Sequence, residues 1–156
     1  LYVKDSVKYN ENLANFIGVK GALKFLEYKY GANSKELKEY VNTNNDEKQY
    51  SRYILKAALR LDSLYKSFKT TDAIDYKKQL KASLIKDISY KIAYLHFNNQ
   101  KRYVRRIFRS RSNNTYFMDY LRYEEKQAAF EQEFQTKFNG NFKAFLRYLK
   151  SKYASL

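Results

Sequence analysis

The sequence predicts an all-α protein, a helical bundle organised around a long antiparallel helical hairpin. Three observations carry that expectation. Apolar residues recur at intervals of three and four along most of the chain, two long apolar stripes are separated by only a short turn, and helix breakers are scarce. Average usage would give this length about eight prolines and about eleven glycines; the 156 residues contain no proline and four glycines.

The first helix is expected from about Val7 to Tyr30. Tyr9, Leu13, Phe16, Ile17, Leu23 and Leu26 mark its apolar face, and Gly31 serves as a left-handed terminator. Gly18 and Gly21 weaken its middle. Asn33 followed by Glu36 has the spacing of a helix start. A second stripe then runs through Leu37, Val41, Ile54, Ala58, Leu61, Leu64, Tyr65 and Phe68, with the polar patch 42–48 either breaking it or facing water. If unbroken, about 33 residues at 1.5 Å each span about 50 Å.

Thr71 and Asp72 offer caps for a third helix carrying Ile74, Leu80, Leu84, Ile85, Ile88 and Ile92, extending to about Phe97. The short connection 69–71 makes the second and third helices an antiparallel hairpin. A further helix is expected from about Tyr116 to Phe138, closed by Gly140, and a last one from about Phe142 to Tyr153. No repeat or linker divides the sequence, so residues 1–156 read as one helical domain, long enough to bury roughly 70% of its unfolded surface.

Seventeen tyrosines and eleven phenylalanines stand beside no tryptophan and one methionine, so the core is built largely from aromatic rings. Cysteine is absent, which excludes a disulfide framework and thiolate chemistry. No apolar run is long enough to cross a membrane.

The chemistry begins with the opening string LYVKDSVKYNENLANFIG, residues 1–18. Glu11 sits at the head of an apolar helical pattern; as a lone carboxylate it is adequately explained by the favourable field of a helix N-terminus. The string as a whole resembles the segment that follows the HExxH motif in a family of predicted bacterial zinc aminopeptidases of gluzincin type. LYVKD corresponds to Leu1–Asp5 and the NExxAxFxG pattern to Asn10–Gly18. The resemblance resumes at Asn113, Asn114, Tyr116 and Phe117, at the run 121–134, and at Gly140 with the Phe-rich segment behind it.

That resemblance implies a zinc cofactor, a peptide substrate and hydrolysis by a zinc-activated water. It also implies that Glu11 is the third zinc ligand, after the two histidines of HExxH. The chain departs from the family where it matters most: it has one histidine, His96, and no HExxH. It also opens on Leu1, where the family's sequence would still be leaving the motif helix. Residues 1–156 are therefore expected to be the C-terminal portion of a longer metallopeptidase, inactive alone. Asn114 and Tyr123 match recurrent family positions, where an amide or phenol could donate to a developing oxyanion. Asn114 also fits a helix start, and Tyr123 a packed ring. Family resemblance further implies a bacterial cell-envelope location.

A different function class follows from charge. Lys and Arg number 31 against 16 Asp and Glu, a formal net charge of +15. The densest run, KRYVRRIFRSR, places Arg102, Arg105, Arg106 and Arg109 on one helical stripe opposite Val104, Ile107 and Phe108. Such a stripe suits a non-enzymatic basic module that binds an anionic membrane surface or nucleic acid; the membrane fits an envelope protein better. Pairing with Glu124, Glu125 or Glu131 would instead make the stripe an ordinary surface. His96 is expected as a partly buried structural residue.

Overall fold

In the computed structural model the described residues are 7–110 and 114–153; the side chains of residues 8, 114, 115, 118, 119, 121–126 and 128 fall outside that description. The described chain is all-α. Helices α1 (Val7–Tyr30), α2 (Lys35–Ser67), α3 (Ile74–Lys91), α4 (Gln100–Ser110), α5 (Asn114–Phe138) and α6 (Phe142–Lys152) follow one another, with a 3-10 turn at Ile92–Tyr94. No described helix is long and apolar enough to cross a membrane.

Gly31 ends α1 as expected, at φ 89° with its N–H donating to the Glu27 carbonyl. The start of α2 differs in detail. Ser34, not Asn33, is the cap, its hydroxyl accepting from the Leu37 N–H at 3.2 Å. The helix then continues through the polar patch, which neither breaks it nor wholly faces water, because Asp46 in its middle is buried. The third helix starts without a side-chain cap. Asp72 instead accepts from the Lys69 N–H at 2.7 Å and shapes the hairpin turn. That helix stops at Lys91, six residues short of the expected Phe97. After the 3-10 turn the backbone extends at Leu95, and His96 is carried into solvent while Phe97 turns inward. His96 is thus exposed rather than partly buried.

The chain packs as two compact units, residues 1–41 with 122–156 and residues 42–121. In the first, Leu13 and Phe16 of α1 pack with Phe130 and Phe134 of α5 and with Phe145 and Leu149 of α6. The rings meet mainly edge to face: Phe16 lies 5.8 Å from Phe134 and from Phe145, each at 75°, an arrangement the ring quadrupole favours. Asn139 at φ 47° and Gly140 at φ 71° turn the chain between α5 and α6. Asn141 then caps α6 by accepting from the Ala144 N–H at 3.0 Å.

In the second unit the hairpin buries Tyr50, Ile54, Ala58 and Leu61 of α2 against Ile85 and Ile88 of α3, with Tyr103 and Ile107 of α4 and Phe117 of α5 completing the core. The Tyr53 hydroxyl donates to the Ile88 carbonyl at 2.5 Å, and Arg60 pairs with Asp87 at 2.8 Å. The loop before α4 is fastened by Asp46. Its Oδ1 accepts from the Asn98 backbone N–H at 2.9 Å and side-chain amide at 2.8 Å, and its Oδ2 from the Asn99 N–H at 2.9 Å. Asn99 caps α4 by accepting from the Arg102 N–H at 3.2 Å.

Two stability predictions follow from these contacts. Asp46→Ala removes three hydrogen bonds made by a buried carboxylate and should cost about 2 kcal/mol in urea unfolding. Gly18→Ala should do the opposite. An added methyl there meets nothing within 4 Å, so replacing a mid-helix glycine should raise stability by about 0.5 to 1 kcal/mol.

Candidate functional site

The two constellations singled out in the sequence lie in different units, Glu11 in the first and the arginine stripe in the second. Along α1 the NENLANFIG string divides into two faces. Asn12, Leu13 and Phe16 are buried, while Glu11, Ala14, Asn15 and Gly18 are exposed. The buried face is tied down tightly. Gln127 donates from Nε2 to the Asn12 carbonyl at 2.9 Å and to its Oδ1 at 3.2 Å. The Tyr9 ring sits against Phe130 at 5.3 Å, and its hydroxyl shares a 2.5 Å hydrogen bond with that of Tyr153. Burial, then that hydrogen bond, raises the Tyr9 pKa well above the ordinary phenol range, keeping it neutral.

Glu11 projects from this anchored turn into solvent. Among the described residues, eight carboxylates have a lysine or arginine within 4.0 Å: Glu27, Glu39, Glu47, Asp62, Asp75, Asp87, Glu131 and Glu133. Glu11 has no such cation there. It also lies beyond the first turn of α1, which holds no acidic residue, so the dipole explanation is weak for it. No group of three or more His, Cys, Asp and Glu side chains among the described residues could hold a metal ion. The described residues therefore do not fit a zinc centre by themselves: Glu11 is one donor, and His96, in the other unit, is exposed. The backbones of Asn114 and Tyr123 lie in α5, but their side chains are outside the described residues, as are those of Glu124 and Glu125.

The arginine stripe forms on α4 as the spacing predicts, with Tyr103 and Ile107 buried on the opposite face. Lys101, Arg102, Arg105, Arg106 and Arg109 line an open groove of about 580 Å³ together with Asn99 and Ser110. Glu131, one of the expected partners, pairs instead with Lys20 at 2.9 Å. The carboxylate that the stripe does engage is Glu47, which takes Arg102 at 3.0 Å and Arg106 at 2.8 Å. Sequence reasoning missed Glu47, which sits beside Asp46 in the polar patch of α2. Nothing local links it to a helix more than fifty positions later.

Behind Arg106 lies a tyrosine cluster, also unforeseen. Arg106 donates to the Tyr120 hydroxyl at 2.8 Å and places its guanidinium 4.8 Å from the Tyr50 ring centre. The Tyr50 and Tyr116 hydroxyls hydrogen-bond each other, and Tyr116 reaches Tyr120 at 3.5 Å. Burial first, then the hydrogen bond from Tyr116, pushes the Tyr50 and Tyr120 pKa values far above the ordinary range. Burial and then the charge of Asp87 push Tyr53 up to about 12. Tyr50, Tyr53 and Tyr120 are hydrogen-bond donors and acceptors at physiological pH, not anions.

Among the described residues the geometry is that of an all-α protein with an exposed carboxylate, Glu11, on one unit and a guanidinium face on the other. The family described as "Putative aminopeptidase" matches residues 1–154. The chain belongs to that family. No curated protein and no solved structure shows significant similarity to it.

The raised tyrosine pKa values set an alkaline limit. A phenol whose pKa is raised by folding contributes stability that is complete below its unfolded value and is lost as the pH climbs through its folded value. For Tyr53 that window runs from 10.0 to about 12. Spectrophotometric titration at high pH should show the exposed tyrosines ionising first. The buried set should follow together with loss of helical circular dichroism. Ionisation of all seventeen in one transition near the ordinary value, with the helices intact, would contradict it.

Proposed function

We propose that this chain is the helical part of a zinc-dependent aminopeptidase, in which Glu11 supplies one carboxylate ligand and the aromatic packing of its unit supplies the scaffold. The remaining ligands and the general base then come from outside residues 1–156, since the chain has a single histidine and no cysteine. On this reading the chain is inactive alone, and the substrate of the whole protein is a peptide.

The observation that carries the proposal is the state of Glu11. In a chain where cations outnumber carboxylates 31 to 16, a surface glutamate readily acquires a lysine or arginine partner, and eight described carboxylates have done so. Glu11 remains without one among the described residues, on a helix fixed by Tyr9, Asn12 and Phe16. A carboxylate ligand needs an exposed oxygen on a backbone that does not move, and Glu11 is exposed on such a turn. Membership of the family supports the peptidase class.

The test is Glu11→Gln in the full-length protein. Zinc content by elemental analysis should fall well below one equivalent, and release of N-terminal amino acids from peptides should be abolished. Because Glu11 is exposed, the unfolding free energy should stay within about 0.5 kcal/mol of wild type. Full zinc occupancy in the variant would defeat the assignment.

A further inference from the structure

The cations of α4 are not equivalent. Arg102 and Arg106 are held by Glu47, and Arg106 also by Tyr120 and the Tyr50 ring. Lys101, Arg105 and Arg109 line the same groove and have no carboxylate partner among the described residues. Asp46, the other acidic side chain at this end of α2, is buried and bonded to the loop N–H groups. Even with it counted, five cations face two carboxylates. A helix face that holds two guanidiniums on Glu47 and keeps surplus positive charge suits a ligand with several negative charges.

Spacing and surroundings narrow the ligand. From Lys101 to Arg109 the helix rises about 12 Å at 1.5 Å per residue, a length over which an extended single strand presents about two or three successive phosphates. On the helical wheel Phe108 borders Arg105, and the Tyr90 ring of α3 packs edge-on against Phe108 at 5.6 Å. Tyr90 is 55% exposed, which leaves an aromatic platform on the flank of the cationic row. An interfacial lipid-binding helix would need an exposed apolar face. On α4 Tyr103 and Ile107 are buried, and Val104 and Phe108 are half-buried against the core. An acidic peptide matches the charge but has no planar base to stack on the aromatic flank.

We propose that this face binds single-stranded nucleic acid, with phosphates on Lys101, Arg105 and Arg109 and a base stacked on Tyr90. The inference is independent of the peptidase reading and of zinc.

The experiment is fluorescence anisotropy of a short labelled single-stranded oligonucleotide of mixed sequence with the full-length protein, across a salt series. Arg105→Ala/Arg109→Ala should weaken binding at least about tenfold and flatten the logarithmic salt slope by about 1.4, at about 0.7 per phosphate released. Tyr90→Ala should weaken it by about tenfold with the slope unchanged, as loss of a stacking surface does. Lys69→Ala/Lys78→Ala, which removes the same charge at the hairpin turn, should change little. An equal loss in that control would reduce the effect to net charge and overturn the proposal. So would an unaffected Tyr90→Ala, absence of binding, or tighter binding to anionic vesicles or polyglutamate at the same salt.

Discussion

The second unit depends on one buried carboxylate. Asp46 accepts from two successive backbone N–H groups and one side-chain amide of the segment 98–99, and that segment is where the chain turns from the 3-10 turn into α4. With the turn fixed, Asn99 is placed to cap α4, Phe97 stacks on Tyr103 at 4.6 Å, and the buried side of α4 is selected. Once Tyr103 and Ile107 face inward, the 3.6-residue period forces the arginines outward. Glu47, the next residue along α2, then lies where it meets Arg102 and Arg106. Two adjacent acids thus divide the work. The inward one sets the backbone, and the outer one orders two of the guanidiniums that the backbone presents.

The aromatic composition answers a related problem. A chain rich in tyrosine and poor in methionine must bury large rings that carry hydroxyls, and a buried hydroxyl without a partner costs free energy. The solution here is to pair phenols with each other, Tyr50 with Tyr116 and Tyr9 with Tyr153, or with a backbone carbonyl, Tyr53 with Ile88. The Tyr103 hydroxyl is buried instead beside the Glu47 carboxylate, and burial, then the charge of Glu47, pushes its pKa up to about 12. Where the core needs no polar tip it uses phenylalanine, and Phe16, Phe130, Phe134 and Phe145 form the centre of the first unit.

Much of this fold was legible in the sequence, because helix periodicity and the absence of proline are local properties. The ends of α1, the hairpin turn and the basic face of α4 are found where the residues point. What was not legible depends on contacts distant in sequence. The polar patch on α2 reads as a break or a water-facing stretch because the partner that satisfies Asp46 lies about fifty residues away. The third helix looked longer because Ile92 and Leu95 continue its apolar pattern, while the chain actually tightens into a 3-10 turn and then extends. His96 follows that extension outward, against the expectation of a partly buried residue behind an apolar helix. The zinc-ligand reading of Glu11 rests on resemblance alone, since spacing does not distinguish a ligand from a solvated helix residue.

The structure alters that balance for Glu11 without adding any new atom to it. Glu36 makes the contrast: it is exposed like Glu11, but it stands in the first turn of α2, where the helix field accounts for an acid. Glu11 lies past the reach of that field, on a turn whose other face is locked by Tyr9, Asn12, Leu13 and Phe16. At an exposed mid-helix position lysine, glutamine or alanine would suit the fold about as well as glutamate. An exposed acid on a backbone that folding makes rigid is what the zinc-ligand proposal requires of Glu11.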